Sequence, residues 1–241
     1  MKLDNKVYEE KIEKLLNSIE IPFKNIGHYC LAFVHRSVLN ENIGDFKESN
    51  ERLEFLGDAI LELVITEMLF KKFPDYTEGQ LTDIRSAVVR GQNLAKIASE
   101  LGFFNYLVLS KGEVLAGGNE NPYILANTLE AFLGAIYIDL GIDYSRIFIE
   151  KYVFSTLEEI LEKKLYVDAK SYFQEISQEK LGTTPTYEVL RDFGEDHDKT
   201  YIIGAFVGDK QVGTGEGSSK KKAQQKAAEN AIEKLDEWIN Q

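Results

Sequence analysis

The segment Asn50-Glu51-Arg52-Leu53-Glu54-Phe55-Leu56-Gly57-Asp58-Ala59-Ile60-Leu61 decides how the chain is read. Its apolar residues Leu53, Phe55, Leu56, Ile60 and Leu61 ask for a buried helix. Glu51, Glu54 and Asp58 stand at i, i+3 and i+7 and therefore project from one side of that helix. Like charges on one stripe repel, and more strongly as the stripe loses water. Something positive should lie against this face, and a hard divalent cation held by oxygen ligands fits best.

A second helix supports the idea. In Tyr123-Ile124-Leu125-Ala126-Asn127-Thr128-Leu129-Glu130-Ala131, Asn127 and Glu130 share a face of an otherwise apolar run. Taken singly, an acid on an amphipathic helix is usually just a solvated charge. Two acidic pairs inside the two most apolar helices are harder to dismiss, because Asp and Glu are seldom buried without a partner. If the two faces meet, Glu54, Asp58, Asn127 and Glu130 offer three carboxylates and one amide oxygen. Few protein ligands, with water and substrate phosphate completing the shell, is the habit of Mg²⁺.

Working outward, residues 1–160 read as almost entirely helical. Helices are expected over Tyr8–Ile19, Ile26–Phe33, Asn50–Lys72 (stopped by Phe73-Pro74), Thr77–Val89, Asn93–Leu101, Ile124–Leu140 and Tyr144–Glu162. Thr77 and Gln80 form a capping box. A polar, Gly-rich loop is expected between Leu107 and Tyr123. From Asp168 the pattern changes to helix, three strands (Tyr187–Arg191, Tyr201–Val207, Gln211–Thr214) and a final helix from Lys220 to about Trp238, N-capped by Ser219. The expected fold is mainly α, with a helical domain over 1–163 and a small α-β-β-β-α (α+β) domain over 168–238.

The chain has 241 residues and a net charge of −12. Residues 1–167 carry 18 basic and 26 acidic side chains, net −8; residues 168–241 carry 10 and 14, net −4. Neither part can hold nucleic acid by bulk positive charge, so any such contact must come from local clusters or from acids that hold metal. No apolar run is expected to span a membrane and no signal-peptide core is visible. The single cysteine, Cys30, excludes an internal disulfide and suits a reducing cytoplasm. His28, His35 and His197 are scattered, and each reads as structural or superficial rather than catalytic. No Ser, Cys or His constellation suggests a metal-free hydrolase.

One local cluster is informative. Lys220, Lys221 and Lys222 occupy the first turn of the last helix, at the positive end of its dipole, where cations cost about 0.3–1 kcal/mol each. An anion docked at that terminus would turn the cost into a gain. Ala223, Ala227, Ala228 and Ala231 form the small-residue face expected to pack on the sheet.

Asn50–Leu61 closely resembles the signature segment of the bacterial ribonuclease III family. His35-Arg36-Ser37, Glu78-Gly79-Gln80-Leu81, Lys111-Gly112-Glu113 and Ile124–Asp139 resemble further family segments, in matching order over nearly the whole chain. Asp168–Leu235 resembles a double-stranded RNA-binding domain. The resemblance implies a cytoplasmic homodimeric endonuclease that hydrolyses double-stranded RNA with Mg²⁺ (Mn²⁺ able to substitute). It implies 5′-phosphate and 3′-hydroxyl ends with short 3′ overhangs, and processing of ribosomal RNA precursors and some messenger RNA. No small-molecule cofactor and no membrane partner is implied.

By the same resemblance Glu54 and Glu130 bind metal, with Asn127 beside them, and Asp58 and Glu130 are catalytic. Glu51 and Glu78 line the cleft, and Phe55 plugs into the partner subunit. Lys220, Lys221 and Lys222 contact phosphates, Gln174 and Glu175 contact one minor groove, and His197 enters a second. Two departures stand out. Asn127 replaces a usual aspartate and brings no charge. Glu195, Asp196 and Asp198 surround His197 and weaken its claim on RNA. The rival readings are an RNA-binding regulator with a decayed nuclease domain and a helical scaffold with an accessory RNA-binding module.

Overall fold

The computed structural model describes residues 4–41, 46–163, 165–166, 169–195 and 199–239. It divides into two compact units, Met1–Tyr166 and Val167–Gln241.

The first unit contains nine α-helices among its described residues: α1 Asn5–Ser18, α2 Ile26–Ala32, α3 Glu51–Lys72, α4 Glu78–Val88, α5 Gly91–Glu100, α6 Lys111–Leu115, α7 Pro122–Leu140, α8 Ile142–Phe148 and α9 Leu157–Glu162. The helix ends follow local chemistry. Asp4 caps α1 and Asn121 caps α7, which carries Pro122 at its first position. The Thr77–Gln80 capping box is formed at α4. Gly102, in the left-handed region at φ 71°, follows the end of α5.

α3 and α7 are the central pair. Leu53, Ile60, Leu61, Val64, Ile65 and Leu69 of α3 are buried, as are Leu129, Phe132, Leu133 and Ile136 of α7. Each such side chain contributes about 1.5–3 kcal/mol by leaving water. The two helices approach to backbone contact. A Cβ on Gly57 would lie 1.7 Å from the carbonyl oxygen of Glu130, and one on Gly134 would lie 2.2 Å from that of Leu53. A mid-helix glycine costs about 0.5–1 kcal/mol relative to alanine, and the close crossing is what it makes possible.

Four expectations need correction. The 107–123 loop contains α6, capped by Ser110, and a 3-10 turn at Gly118–Glu120. The expected helix over Tyr144–Glu162 is interrupted. After α8 a wide π turn at Ile149–Val153 and a 3-10 turn at Phe154–Thr156 reset the phase, so that Ile149, Val153, Leu157 and Ile160 all reach the core. Phe55 is not buried in the chain but 81% exposed. Contrary to the membrane expectation, Pro122–Leu140 is long and apolar enough by composition to cross a bilayer. It is the core helix, with 67% of its most apolar window buried.

The second unit is α10 Ala169–Leu181, β1 Thr186–Phe193, β2 Thr200–Val207, β3 Lys210–Gly217, α11 Lys220–Glu233 and α12 Leu235–Ile239. The antiparallel sheet runs β1-β2-β3. Gly208, at φ 60°, turns the β2–β3 hairpin with Asp209. β3 presents Gly213, Gly215 and Gly217 to α11, where added Cβ atoms would come within 2.3, 2.2 and 2.7 Å of helix backbone atoms. Ala223, Ala227, Ala228 and Ala231 are fully buried against them. The helix expected from Lys220 to about Trp238 is broken: α11 ends at Glu233 and α12 follows from Leu235. The break lets the Trp238 indole N–H donate to the Ala231 carbonyl at 2.7 Å.

Candidate active site and RNA-binding elements

The crossing of α3 and α7 brings the two acidic faces together. Glu51, Glu54, Phe55 and Asp58 of α3 and Tyr123, Ile124, Asn127 and Glu130 of α7 line one open pocket of about 320 Å³, with His35, Arg36 and Asn50. The start of α3 is fixed by Asn50. Its backbone N–H donates to Val34 O at 2.9 Å and its side-chain amide to Ala32 O at 3.1 Å.

The pocket is short of positive charge. Arg36 approaches Glu51 at 3.5 Å, but among the described residues no cation pairs with Glu54, Asp58 or Glu130. Burial pushes the Glu130 carboxyl up to about 7, and the neighbouring Asp58 and Glu54 add to the shift. Burial and then Glu51 raise Glu54, while a hydrogen bond from Asn127 pulls it the other way. Half-buried carboxyl groups whose charged forms are disfavoured for want of a cation are a donor set suited to a divalent ion. Among the described residues no group of three or more His, Cys, Asp or Glu side chains is placed to hold a metal ion by itself. The arrangement is the open, oxygen-only type that water and phosphate would complete.

Of the acidic residues anticipated from the sequence, Glu51, Glu54, Asp58 and Glu130 share this pocket, with Asn127 between them. Glu78 does not line it; it opens α4 and is exposed. His35, Arg36, Tyr123 and Ile124 were not anticipated there. The only sequence signal for the first two was their place in a recognisable segment, His35-Arg36-Ser37. The His35 ring also has the structural role expected of it, with Nδ1 2.9 Å from Ser37 Oγ, and burial lowers its pKa.

In the second unit Lys220, Lys221 and Lys222 are exposed on the first turn of α11, above the Ser219 cap, whose Oγ accepts from Lys222 N–H at 3.3 Å. Lys220 Nζ lies 5.9 Å from the Tyr201 ring centre. Gln174 and Glu175 are exposed on α10, beside the buried Phe173 and Ile176. His197 lies outside the described residues.

Comparison with known proteins agrees with both units. A family model described as ribonuclease-III-like matches residues 28–157, and one for the double-stranded RNA binding motif matches 169–235. The chain is 42% identical over 225 residues to Ribonuclease 3 of Geobacillus kaustophilus, spanning 93% of this chain and 91% of the relative. It is 43% identical over 215 residues to Ribonuclease 3 of Treponema denticola, spanning 89% and 87%. The solved nuclease domain of ribonuclease III from Campylobacter jejuni, described with structural flexibility in its region of dimer formation, is 38% identical. It aligns with a TM-score of 0.55 over 59% of this chain and 95% of its own. Together these define an endoribonuclease specific for double-stranded RNA. The chain belongs to the ribonuclease III family, whose hydrolysis depends on metal.

Proposed function

We propose that the pocket between α3 and α7 is the cleavage site, and that Mg²⁺ is its working ion, with Mn²⁺ a substitute. One observation carries the reading: Glu54, Asp58, Asn127 and Glu130 face one pocket, and none of the three acids has a cationic partner among the described residues. Glu54, Asn127 and Glu130 would hold the ion, which supplies acidification of water and neutralisation of the phosphate. Asp58 and Glu130 orient the attacking water. Attack at phosphorus breaks the bond to the 3′ oxygen, which takes up a proton, leaving a 3′-hydroxyl and a 5′-phosphate. Glu51 lines the rim and shapes its charge. Glu78, outside this pocket, has the weaker claim as cleft lining.

The nuclease domain in this reading is residues 1–163 and the RNA-binding domain 168–238. The exposed Lys220–Lys222 turn supports phosphate contact, and Gln174 and Glu175 are placed on an open helix face for ribose contact. Two such domains would cut the two strands as a homodimer. Phe55, Leu63 and Phe70 support this, because three large apolar residues 81%, 61% and 69% exposed on one helix want a partner. Staggered cutting gives short 3′ overhangs. Ribosomal RNA precursors and structured messenger RNA in the cytoplasm are the natural substrates.

The test is a labelled duplex incubated with and without Mg²⁺. Metal-dependent cuts by the native chain are expected, and Glu130→Ala should abolish cutting while keeping the gel shift. Metal-independent cutting, or cutting that survives Glu130→Ala, would overturn the reading.

A further inference from the structure

The pocket must accept a polyanion, yet it is lined by four carboxylates. Arg36 is the one Lys or Arg among its described lining residues. We propose that Arg36 is a substrate-binding residue of the pocket, its guanidinium taking a phosphate of the cleaved RNA strand. The inference rests on the pocket being the cleavage site.

Arg36 is available. Its side chain is 68% exposed, and no hydrogen bond among the described residues uses any of its donors. Its ion pair with Glu51 is long, at 3.5 Å between Nη1 and Oε1, whereas charge-assisted pairs that matter structurally close to about 2.7–2.9 Å. Glu51 does not depend on it, since the other carboxylate oxygen accepts from Ser49 Oγ at 2.9 Å. Exposed pairs of this kind hold a side chain loosely. Five donors in a planar fork then match the oxygens of a phosphate better than they match the rim glutamate.

Arg36 is also well anchored at its base. It opens a 3-10 turn, Arg36–Asn40, capped by His35. The His35 N–H donates to Val108 O at 3.1 Å, and the Ser110 N–H donates to Ser37 Oγ at 3.0 Å. Val34 O, two residues before Arg36, accepts from Asn50 N–H at the head of α3. A loosely held guanidinium on a fixed backbone, at the same helix head that carries the acids, can reach a phosphate without moving the pocket. This gives the His35-Arg36-Ser37 segment two roles: His35 and Ser37 hold the turn, and Arg36 meets the substrate.

The experiment uses the full chain, cutting a labelled duplex RNA at saturating Mg²⁺ over a range of salt, for wild type, Arg36→Gln, Arg36→Lys and Glu54→Gln. For Arg36→Gln, KM should rise about tenfold and the slope of log KM against log salt should fall by about one, as for loss of one phosphate contact. The Mg²⁺ midpoint and thermal midpoint should not change. Arg36→Lys should recover the slope and part of the KM, because it keeps the charge and loses the fork. An unchanged KM and slope with a lower Mg²⁺ midpoint would overturn the proposal, showing that Arg36 only offsets the carboxylates. Full activity in Glu54→Gln would instead overturn the pocket as the cleavage site, a failure distinct from that of Arg36.

Discussion

A methyl group on Gly57 would lie 1.7 Å from the carbonyl oxygen of Glu130. The residue one step before Asp58 thus touches the backbone of the residue facing it across the pocket. The spacing of the acidic groups is set by main chain against main chain, not by side chains that could adjust.

Gly57→Ala must therefore push α3 and α7 apart. We expect a loss of about 3 kcal/mol or more, at the upper end of overpacking costs, together with loss of cutting. Gly79→Ala is the internal control: in α4 an added Cβ would meet only Thr77 Oγ1, at an ordinary contact distance of 4.0 Å, so the change should be neutral or stabilising by about 0.5–1 kcal/mol. Urea denaturation of both variants checks the contrast.

Glu130 predicts an unusual pH dependence in chelator. Its folded carboxyl titrates at about 7, above its ordinary value of 4.5. The protonated form is favoured in the fold, so the stabilisation is complete below about pH 4.5 and is lost as pH rises through 7. Glu130→Gln carries no charge at any pH. Between pH 4.5 and 8 it should gain about 1–2 kcal/mol on wild type, allowing for solvent screening. Thermal midpoints in chelator at several pH values read this difference. Adding Mg²⁺ at pH 8 should raise the wild-type midpoint and leave the variant nearly unmoved.

Asn127 invites the opposite change. Asn127→Asp adds a fourth carboxylate beside Glu54, Asp58 and Glu130. Ligand charge count tunes divalent affinity, so the Mg²⁺ midpoint for cutting should fall by about tenfold. The metal-free chain should lose stability above pH 7 for the same reason. A Mg²⁺ titration of initial rates decides; an unchanged midpoint would place Asn127 outside the ion's reach.

Phe55→Glu should disrupt self-association. Eighty-one per cent of the phenylalanine is exposed, and a charge in its place cannot be buried against a second copy without a partner. Sedimentation velocity should shift from dimer toward monomer, while circular dichroism stays unchanged.

The lysine turn predicts a salt effect. Lys220→Ala with Lys221→Ala should reduce the slope of log affinity against log salt by about two, without unfolding the unit. Binding of a duplex RNA across a salt series measures it.

Much of this was legible in the sequence. Helical periodicity located α3 and α7, the Thr77–Gln80 box located α4, and a change of period near Asp168 separated the two units. The acidic faces were readable because their residues repeat at helical spacing inside apolar runs. What escaped was what depends on distance in space. Nothing in the sequence marks Gly57 as the residue that meets the Glu130 backbone. Arg36 and His35 reach the pocket from a 3-10 turn fifteen or more residues before the acids, and no periodicity links them. The break after α8 was invisible because a π turn keeps helical composition while shifting phase by one residue. Phe55 is instructive in another way: apolarity alone put it in the core, and only the family resemblance assigned it to a second subunit.

The glycines of β3 have an effect beyond seating α11. β3 lies at an edge of the sheet, where free backbone groups could recruit strands from other molecules. Gly213, Gly215 and Gly217 have low β propensity, and Lys210, Gln211 and Glu216 add polarity along the same strand. A foreign strand would find neither side chains to grip nor an apolar ladder to extend. The residues that admit the helix so closely thus also make this edge a poor template for a strand from another molecule.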